Sequence, residues 1–156
     1  MSTYRAAIIG LGRMGSTFDD EIIRGGSFFL PYCHAPTYQD SPLVELAAGA
    51  DLHPDQRDVF GARWGLADEH LYEDYNEMLR REQPEIVSIC TTPRHRCTII
   101  EDVARAGVRA IWAEKPISLS LEEADRIVSV CREHNVTLAI NCQRRWNPIF
   151  QESKQM

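Results

Sequence analysis

Long hydrophobic runs and closely spaced cysteines are both missing from this sequence. The five cysteines are scattered and none forms a C-x-x-C pair, which argues against a zinc site or a redox dithiol. No apolar run approaches the length of a membrane span, and the N-terminus is typical of a strand rather than of a signal peptide. A net charge of −6 argues against general nucleic-acid binding, which needs clustered cations. We therefore expect a cytoplasmic protein with no metal, no membrane contact and no nucleic-acid partner.

What the sequence does contain is a regular alternation of apolar runs and helical patterns. A chain of 156 residues, 44% of them hydrophobic, suits one domain with a sizeable core. Alternating strands and helices are typical of a parallel sheet covered by helices. We predict an α/β fold: a doubly wound, mostly parallel Rossmann sheet of about six strands with helices on both faces. Five of the strands are predicted at residues 6–9, 43–50, 86–91, 108–113 and 136–142.

Helical periodicity predicts which helix positions face the core. In the helix that follows the second strand, these positions are Val59, Phe60 and Trp64. In the last helix they include Leu121 and Val128. All five side chains are therefore expected to be buried.

A glycine motif follows the first predicted strand. Gly10, Gly12 and Gly15 have the G-x-G-x-x-G spacing, with Arg13 and Met14 between the last two glycines. In a dinucleotide-binding turn the first glycine permits the tight turn, and the second lets a pyrophosphate approach the backbone. The third lets the following helix pack on the sheet. Because the motif stands between a strand and a helix, these five residues are predicted to bind a nucleotide. The alternative is an ordinary glycine-rich turn.

Asp51 ends the second predicted strand, where a dinucleotide-binding fold places a carboxylate on the ribose. A carboxylate there accepts hydrogen bonds from a free 2′-hydroxyl and repels a 2′-phosphate. NAD is therefore expected in preference to NADP, unless Arg57 pairs with the phosphate. The alternative is that Asp51 only opens the turn toward Pro54.

The distance from the glycines to Asp51 exceeds the usual spacing of about 20 residues. Residues 17–42 account for the excess, because they carry turn residues and aromatic residues that a compact unit would lack. We interpret them as an insertion or extended loop, which could cover the cofactor or pack on the sheet edge.

Thr91, Thr92 and Pro93 follow the strand predicted at residues 86–91. This strand end lies where the strand order reverses, and open α/β sheets bind ligands at that point. Pro93 presents a flat apolar edge to a ring, so all three residues are predicted to line the cofactor site. The alternative is that Pro93 only starts a helix.

Glu114, Lys115 and Pro116 follow the strand predicted at residues 108–113, at the same sheet edge as the glycines. At the mouth of a cofactor crevice, a lysine can orient a substrate hydroxyl or move its proton. We predict that Lys115 is the catalytic residue and that all three residues belong to the cofactor site. The alternative is a salt bridge that closes the strand end.

Two adjacent arginines, Arg144 and Arg145, follow the last predicted strand. They could bind a nicotinamide amide, a phosphate or a domain interface. Their local sequence fits a basic surface turn equally well.

Together these motifs resemble the N-terminal half of the Gfo/Idh/MocA oxidoreductases, the glucose–fructose oxidoreductase and inositol dehydrogenase superfamily. The resemblance covers essentially the whole chain, and the Glu-Lys-Pro motif is its most specific part. It rests on the glycine motif and on His34-Ala-Pro-Thr-Tyr38, Ala50-Asp51, Thr92-Pro93, Glu114-Lys115-Pro116 and Arg144-Arg145-Trp146-Asn147-Pro148.

The resemblance implies a role for each matched motif. The glycines and Asp51 would hold the dinucleotide, and Thr92 with Pro93 would line its nicotinamide side. Lys115 would contact the substrate. Family members often carry a histidine four residues after the proline, where this chain has Cys97, so that role is not transferred.

The resemblance also implies the domain organisation. Residues 1–142 would be the NAD(P)-binding Rossmann domain, and residues 143–156 would begin the connection to a missing C-terminal substrate domain. Arg144 and Arg145 would then lie near the nicotinamide or the hinge to that domain.

The implied function is that of an NAD(P)-dependent dehydrogenase. Hydride would pass between the nicotinamide and a hydroxyl carbon of a sugar, inositol or related polyol. This chain would be the cofactor-binding portion, inactive alone, and the full-length form a homo-oligomer. One competing interpretation is a non-catalytic dinucleotide-binding module, or a subunit completed by a partner chain. Another is a methyltransferase that binds S-adenosylmethionine, in which the Glu-Lys-Pro motif would have no evident role.

Overall fold

The central sheet has six strands, all parallel, in the order β3-β2-β1-β4-β5-β6. This order confirms the predicted doubly wound Rossmann sheet. The computed structural model describes residues 3–24 and 30–142, and the isolated residues 145, 152 and 154. The strands are β1 Tyr4–Ile9, β2 Val44–Ala50, β3 Leu71–Tyr72, β4 Ile86–Ile89, β5 Ala110–Ala113 and β6 Thr137–Ile140. The helices are α1 Phe18–Arg24, α2 His34–Asp40, α3 Pro54–Trp64, α4 Tyr75–Glu82, α5 Arg96–Arg105 and α6 Leu121–Glu133.

The sheet is covered on both faces, and β1 shows this most clearly. Ala7 and Ile9 belong to a cluster with buried residues of α4, α5 and α6. Ala6 and Ile8, one position out of phase, belong to a second cluster with buried residues of α2 and α3. A strand segment buried on both faces is apolar, as residues 6–9 of β1 are. None of the helices in the described ranges combines the length and the apolar character that crossing a membrane requires.

Of these five helix-burial predictions, two are right and three are wrong. Phe60 is fully buried and Trp64 is partly buried against the same cluster. Val59 is 52% exposed, Leu121 85% and Val128 41%. All three lie outside the buried positions of their helices, which are Phe60 and Gly61 in α3 and Ile127, Val130 and Cys131 in α6.

Three helical pieces lie within residues 13–24 and 34–40. The π-helical turn Arg13–Thr17 leads directly into α1, and α2 follows after a gap in the described residues at 25–29. Asp19, in α1, accepts hydrogen bonds from the backbone N–H groups of Tyr32 and Cys33. These bonds hold the residues just before α2 next to α1. α2 packs on the sheet through Ala35 and Tyr38.

Four of the five cysteines are expected to be unreactive in the folded protein. Cys33, Cys97 and Cys131 are buried and Cys90 is half-buried. Burial raises the pKa of all four thiols, that of Cys33 to about 12. Because the thiolate is the reactive form, only the exposed Cys142 should react quickly with dithiobis(nitrobenzoic acid) at neutral pH. Cys142→Ser should remove this fast phase, and a second fast thiol would contradict the prediction.

Candidate nucleotide-binding and catalytic site

A cleft of about 600 Å³ lies at the carboxyl ends of β1, β2 and β4. This volume is within the usual range for small-molecule sites. Of the predicted residues, it brings together Gly10, Gly12, Asp51, Thr91 and Thr92. Six residues that the sequence did not single out also line it: Leu52, His53, Glu73, Tyr75, Thr98 and Ile99.

The glycine turn is built by close approach of backbone to backbone. Gly10 has φ +92°, and its N–H donates to the carbonyl of Ala50 at 2.8 Å. A Cβ atom at Gly15 would lie 2.3 Å from the carbonyl oxygen of Gly10, so the π-helical turn packs against the end of β1 only with glycine there. At Gly12 the nearest atom to such a Cβ is Gln56 Oε1 at 3.8 Å, which leaves open space above the turn. An anion could approach the backbone through that space.

Asp51 is held in place by two backbone donors. Its Oδ2 accepts from the N–H of Leu11 at 2.8 Å and its Oδ1 from the N–H of His53 at 3.0 Å. The Arg57 guanidinium donates to the backbone carbonyl of Asp51 at 2.7 Å. It is therefore hydrogen-bonded to the backbone of the same residue that carries the carboxylate. The carboxylate oxygens, each with a lone pair to spare, are suited to accept ribose hydroxyls.

Thr91 has a buried hydroxyl without a hydrogen-bond partner among the described residues. Buried polar atoms are normally satisfied, and Thr91 lines the cleft, so a bound molecule could supply the partner. Thr92 is exposed, and Pro93 opens a short 3₁₀ turn before α5. Together with the space above Gly12 and the carboxylate of Asp51, these features fit a bound dinucleotide.

Glu114 follows β5 and is 3% exposed, although it carries a carboxylate. His34 Nε2 lies 3.2 Å and Asn141 Nδ2 2.5 Å from its Oε1. Burial alone raises the pKa of Glu114, but these hydrogen bonds outweigh burial and bring the pKa below its ordinary value. Lys115 is exposed beside it and forms no ion pair within the described ranges. The Lys115–Pro116 peptide bond is cis.

His34 connects Glu114 to two hydroxyl groups on the other side of the ring. Its Nδ1 lies 2.8 Å from Ser88 Oγ, which lies 2.6 Å from the hydroxyl of Tyr38. With Nε2–H donating to Glu114, Nδ1 accepts from Ser88 and Ser88 accepts from Tyr38. Burial lowers the pKa of His34, despite the nearby carboxylate, so the ring is neutral near pH 7.

Eight predicted site residues that the structure describes do not line the cleft: Arg13, Met14, Gly15, Pro93, Glu114, Lys115, Pro116 and Arg145. Arg13 forms a bidentate ion pair with Glu21 on the surface, with both N···O distances 2.7 Å. Met14 is partly buried in the π-helical turn. Arg145 is exposed and its N–H donates to the carbonyl of Cys142 at 2.9 Å, whereas Arg144 lies outside the described residues. The cofactor roles assigned to these residues stay predictions.

Arg96 is a residue that the sequence interpretation missed. It begins α5, is 2% exposed, and donates to backbone carbonyls of both Thr91 and Glu114. A signal was available, because Arg96 lies on the apolar stripe of the predicted helix, four positions before Ile100. A cation in phase with a buried stripe indicates a buried hydrogen-bonding role.

Several known proteins with similar sequences are dehydrogenases. Residues 4–142 match the GFO_IDH_MocA family model, described as "Oxidoreductase family, NAD-binding Rossmann fold". Over 135 residues the chain is 35% identical to a D-apiose dehydrogenase of Paraburkholderia graminis. That match covers 86% of this chain and 34% of the relative, so the chain spans about a third of the relative's length.

Solved structures with this fold include two inositol dehydrogenases. The scyllo-inositol dehydrogenase of Lactobacillus casei, with bound NAD(H) and scyllo-inositol, matches with a TM-score of 0.80 at 24% identity. The myo-inositol 2-dehydrogenase of Lactobacillus plantarum matches with a TM-score of 0.79 at 25% identity. Each match covers 99% of this chain and 40% of the other. The chain therefore belongs to the Gfo/Idh/MocA oxidoreductase family, with residues 4–142 as its NAD-binding Rossmann fold.

Proposed function

We propose that this chain is the cofactor-binding part of an NAD-dependent dehydrogenase that acts on a sugar, inositol or related polyol. The observation that carries the proposal is the cleft at the carboxyl edge of the sheet, which Gly12 and Asp51 line together. An open glycine turn suits a pyrophosphate, and a carboxylate suits the hydroxyls of a ribose. The D-apiose and inositol dehydrogenases among the similar proteins support the substrate class.

Lys115 is the residue we propose for proton transfer. Its amine is exposed at the end of β5, next to the buried Glu114, whose carboxylate His34 and Asn141 hold in one position. An amine in that position can orient a substrate hydroxyl and accept its proton. Bound NAD would accept the hydride from the substrate carbon. Thr91, Thr92 and Pro93 would bound the nicotinamide side of the same site.

Asp51 is the residue we propose for cofactor choice. Because Leu11 and His53 fix its carboxylate by backbone hydrogen bonds, the charge cannot move away from a 2′-phosphate without breaking them. Arg57 donates to the backbone carbonyl of Asp51 and would have to give up that bond to pair with a phosphate. NAD is therefore favoured over NADP.

Calorimetric titration of the chain with NADH and NADPH tests this proposal. We expect NADH to bind more tightly by about tenfold or more, because a lost ribose hydrogen bond and like-charge repulsion together amount to at least about 1.4 kcal/mol. Asp51→Ala should weaken NADH binding and remove the preference. Asp51→Asn should weaken NADH binding less, because its amide oxygen still accepts from Leu11.

Asp55→Ala is the matched control, since Asp55 is an exposed carboxylate four residues away, in the first turn of α3. It should bind both cofactors as the unmodified chain does. Equal affinity for NADH and NADPH in the unmodified chain would contradict the role of Asp51. Absence of binding to either cofactor, in a sample with a native circular dichroism spectrum, would contradict the proposed function itself.

We further infer a cytoplasmic location from the cysteines. All five are free, and three of them are buried as small core residues. Unpaired buried thiols are usual in reducing compartments, whereas secreted proteins tend to pair them.

A further inference from the structure

Arg96 joins two loops that follow neighbouring strands. One guanidinium nitrogen, Nη1, donates to the carbonyl of Glu114 at 2.7 Å and also to that of Pro116. The other, Nη2, donates to the carbonyl of Thr91. The loop after β4 and the loop after β5 are thus held by a single planar group.

The position of Arg96 is unfavourable for stability in two respects. It stands at the N-terminus of α5, where the helix dipole disfavours a cation. It is also buried, with its Nε atom lacking a partner among the described residues. Burial lowers the pKa of the guanidinium, and the negative charge of Glu114 opposes this change. An apolar side chain would continue the buried stripe of α5 without either penalty.

Of the two loops that Arg96 joins, the one after β4 lines the cleft through Thr91 and Thr92. The other follows β5, the neighbouring strand, and does not itself line the cleft. In a doubly wound fold, the first three strands carry the adenosine half of a dinucleotide and the last three carry the nicotinamide half. Thr91 follows β4 and residues 114–116 follow β5, so both loops belong to the nicotinamide half. Lys115 lies between Glu114 and Pro116 in the sequence, and the carbonyls of both neighbours accept hydrogen bonds from the Arg96 guanidinium.

We propose that Arg96 is a positioning residue for the nicotinamide half of the site. By binding the carbonyls of Thr91, Glu114 and Pro116 together, it sets the separation of the two loops and the direction of Lys115. The proposal rests on the proposed binding of NAD in this cleft. Arg96 itself does not touch the cofactor or the substrate.

The test compares two ligands and one optical signal. NADH fills both halves of the site, whereas ADP-ribose lacks the nicotinamide. We expect the unmodified chain to bind NADH more tightly than ADP-ribose and to enhance the fluorescence of the reduced nicotinamide. Arg96→Met should reduce the ratio of the two affinities toward one and remove the enhancement. Its affinity for ADP-ribose should stay within about twofold.

Arg96→Lys separates charge from geometry. A lysine keeps the positive charge, but its single ammonium cannot bridge both loops as a planar guanidinium does. It should therefore resemble Arg96→Met in fluorescence and affinity ratio. Arg94→Met is the matched control: Arg94 is an exposed cation two residues earlier, and its loss should change neither measurement.

Each outcome decides between distinct conclusions. Unchanged fluorescence and affinity ratio in Arg96→Lys would overturn the positioning role, and this variant decides the matter if Arg96→Met does not fold. Equal weakening of NADH and ADP-ribose would also overturn it, because Arg96 would then act on the whole fold. If the unmodified chain binds neither ADP-ribose nor NADH, the proposed function fails as well.

Discussion

Replacing Gly12 with alanine is expected to abolish tight NADH binding while leaving the fold intact. A Cβ atom there would have only Gln56 Oε1 nearby, at 3.8 Å, which is an ordinary contact. The same Cβ would occupy the open space through which a pyrophosphate approaches the backbone. We expect the midpoint of thermal unfolding to change by less than about 2 °C, and the affinity for NADH to fall by at least about tenfold.

Gly15→Ala, in contrast, should destabilise the fold itself. Its Cβ would lie 2.3 Å from the carbonyl oxygen of Gly10, and that oxygen belongs to the backbone of the turn itself. Because backbone cannot rotate away as a side chain can, the π-helical turn must move off the end of β1. Overpacking of this kind destabilises proteins by about 1–3 kcal/mol, which chemical denaturation would measure directly.

The two alanine variants serve as controls for each other. Both replace a glycine of the same turn. Only the Cβ of Gly15→Ala would clash with backbone atoms of the protein itself, in the absence of a cofactor. If Gly12→Ala destabilised the fold as much as Gly15→Ala, the space above Gly12 would not be open. If Gly12→Ala bound NADH normally, the pyrophosphate would not approach the turn at this residue.

The sequence was sufficient to predict the elements that local pattern determines. The apolar run at residues 6–9 leads into Gly10, and β1 ends at Ile9 as that pattern requires. The strands on either side of it, β2 and β4, are mostly apolar, so their parallel, two-faced burial followed from their composition. Asp51 could be predicted at a strand end because the strand before it is unambiguous.

Short and marginal elements could not be predicted in this way. β3 consists of Leu71 and Tyr72, too few residues to show any alternation, and it exists through pairing with Gly49 and Ala50 of β2. Leu121 is apolar and begins a well-capped helix, yet it is 85% exposed. Helical periodicity places Leu121 on the apolar face of the helix, but tertiary packing decides how far along the helix that face is buried.

The polar contacts beneath the cleft were beyond local sequence reasoning for a different reason. His34 meets Ser88 and Glu114 across 54 and 80 residues of sequence, and Arg96 meets Glu114 across 18. A histidine, a serine and a glutamate that far apart have no spacing that would reveal their contact. Once the sheet order is known, the carboxyl ends of β4 and β5 become neighbours and the contacts are explained.

His34→Leu is expected to be among the most destabilising substitutions in this chain. The His34 ring is fully buried and donates to the buried carboxylate of Glu114. It also packs against Trp112, with the ring centroids 3.8 Å apart and the planes tilted by 38°. Leucine would fill much of the volume but leave Glu114 with one donor fewer and Ser88 without an acceptor. Removing one partner of a buried charged group costs about 3 kcal/mol or more. His134→Leu, at an exposed histidine after α6, should stay close to the unmodified chain.

The same residue should make stability depend on pH. Because burial lowers the pKa of His34, the folded chain leaves this ring neutral while the unfolded chain protonates it below about pH 6.5. The unfolded state then binds more protons, so the free energy of unfolding decreases as pH falls, with a slope of up to about 1.4 kcal/mol per pH unit from this group. Glu114, whose pKa is also lowered, adds a further loss only in its own, more acidic range.

His34→Gln separates the hydrogen bonds from the titration. A glutamine amide can donate to Glu114 and accept from Ser88, yet it has no proton to gain in this range. Urea denaturation between about pH 8 and 5.5 should therefore show His34→Gln less destabilised than His34→Leu at the upper limit and with a shallower dependence below about pH 6.5. An unchanged slope in His34→Gln would mean that other groups produce the pH dependence. Equal loss of stability in both variants at the upper limit would mean that packing, rather than the bond to Glu114, is what His34 contributes.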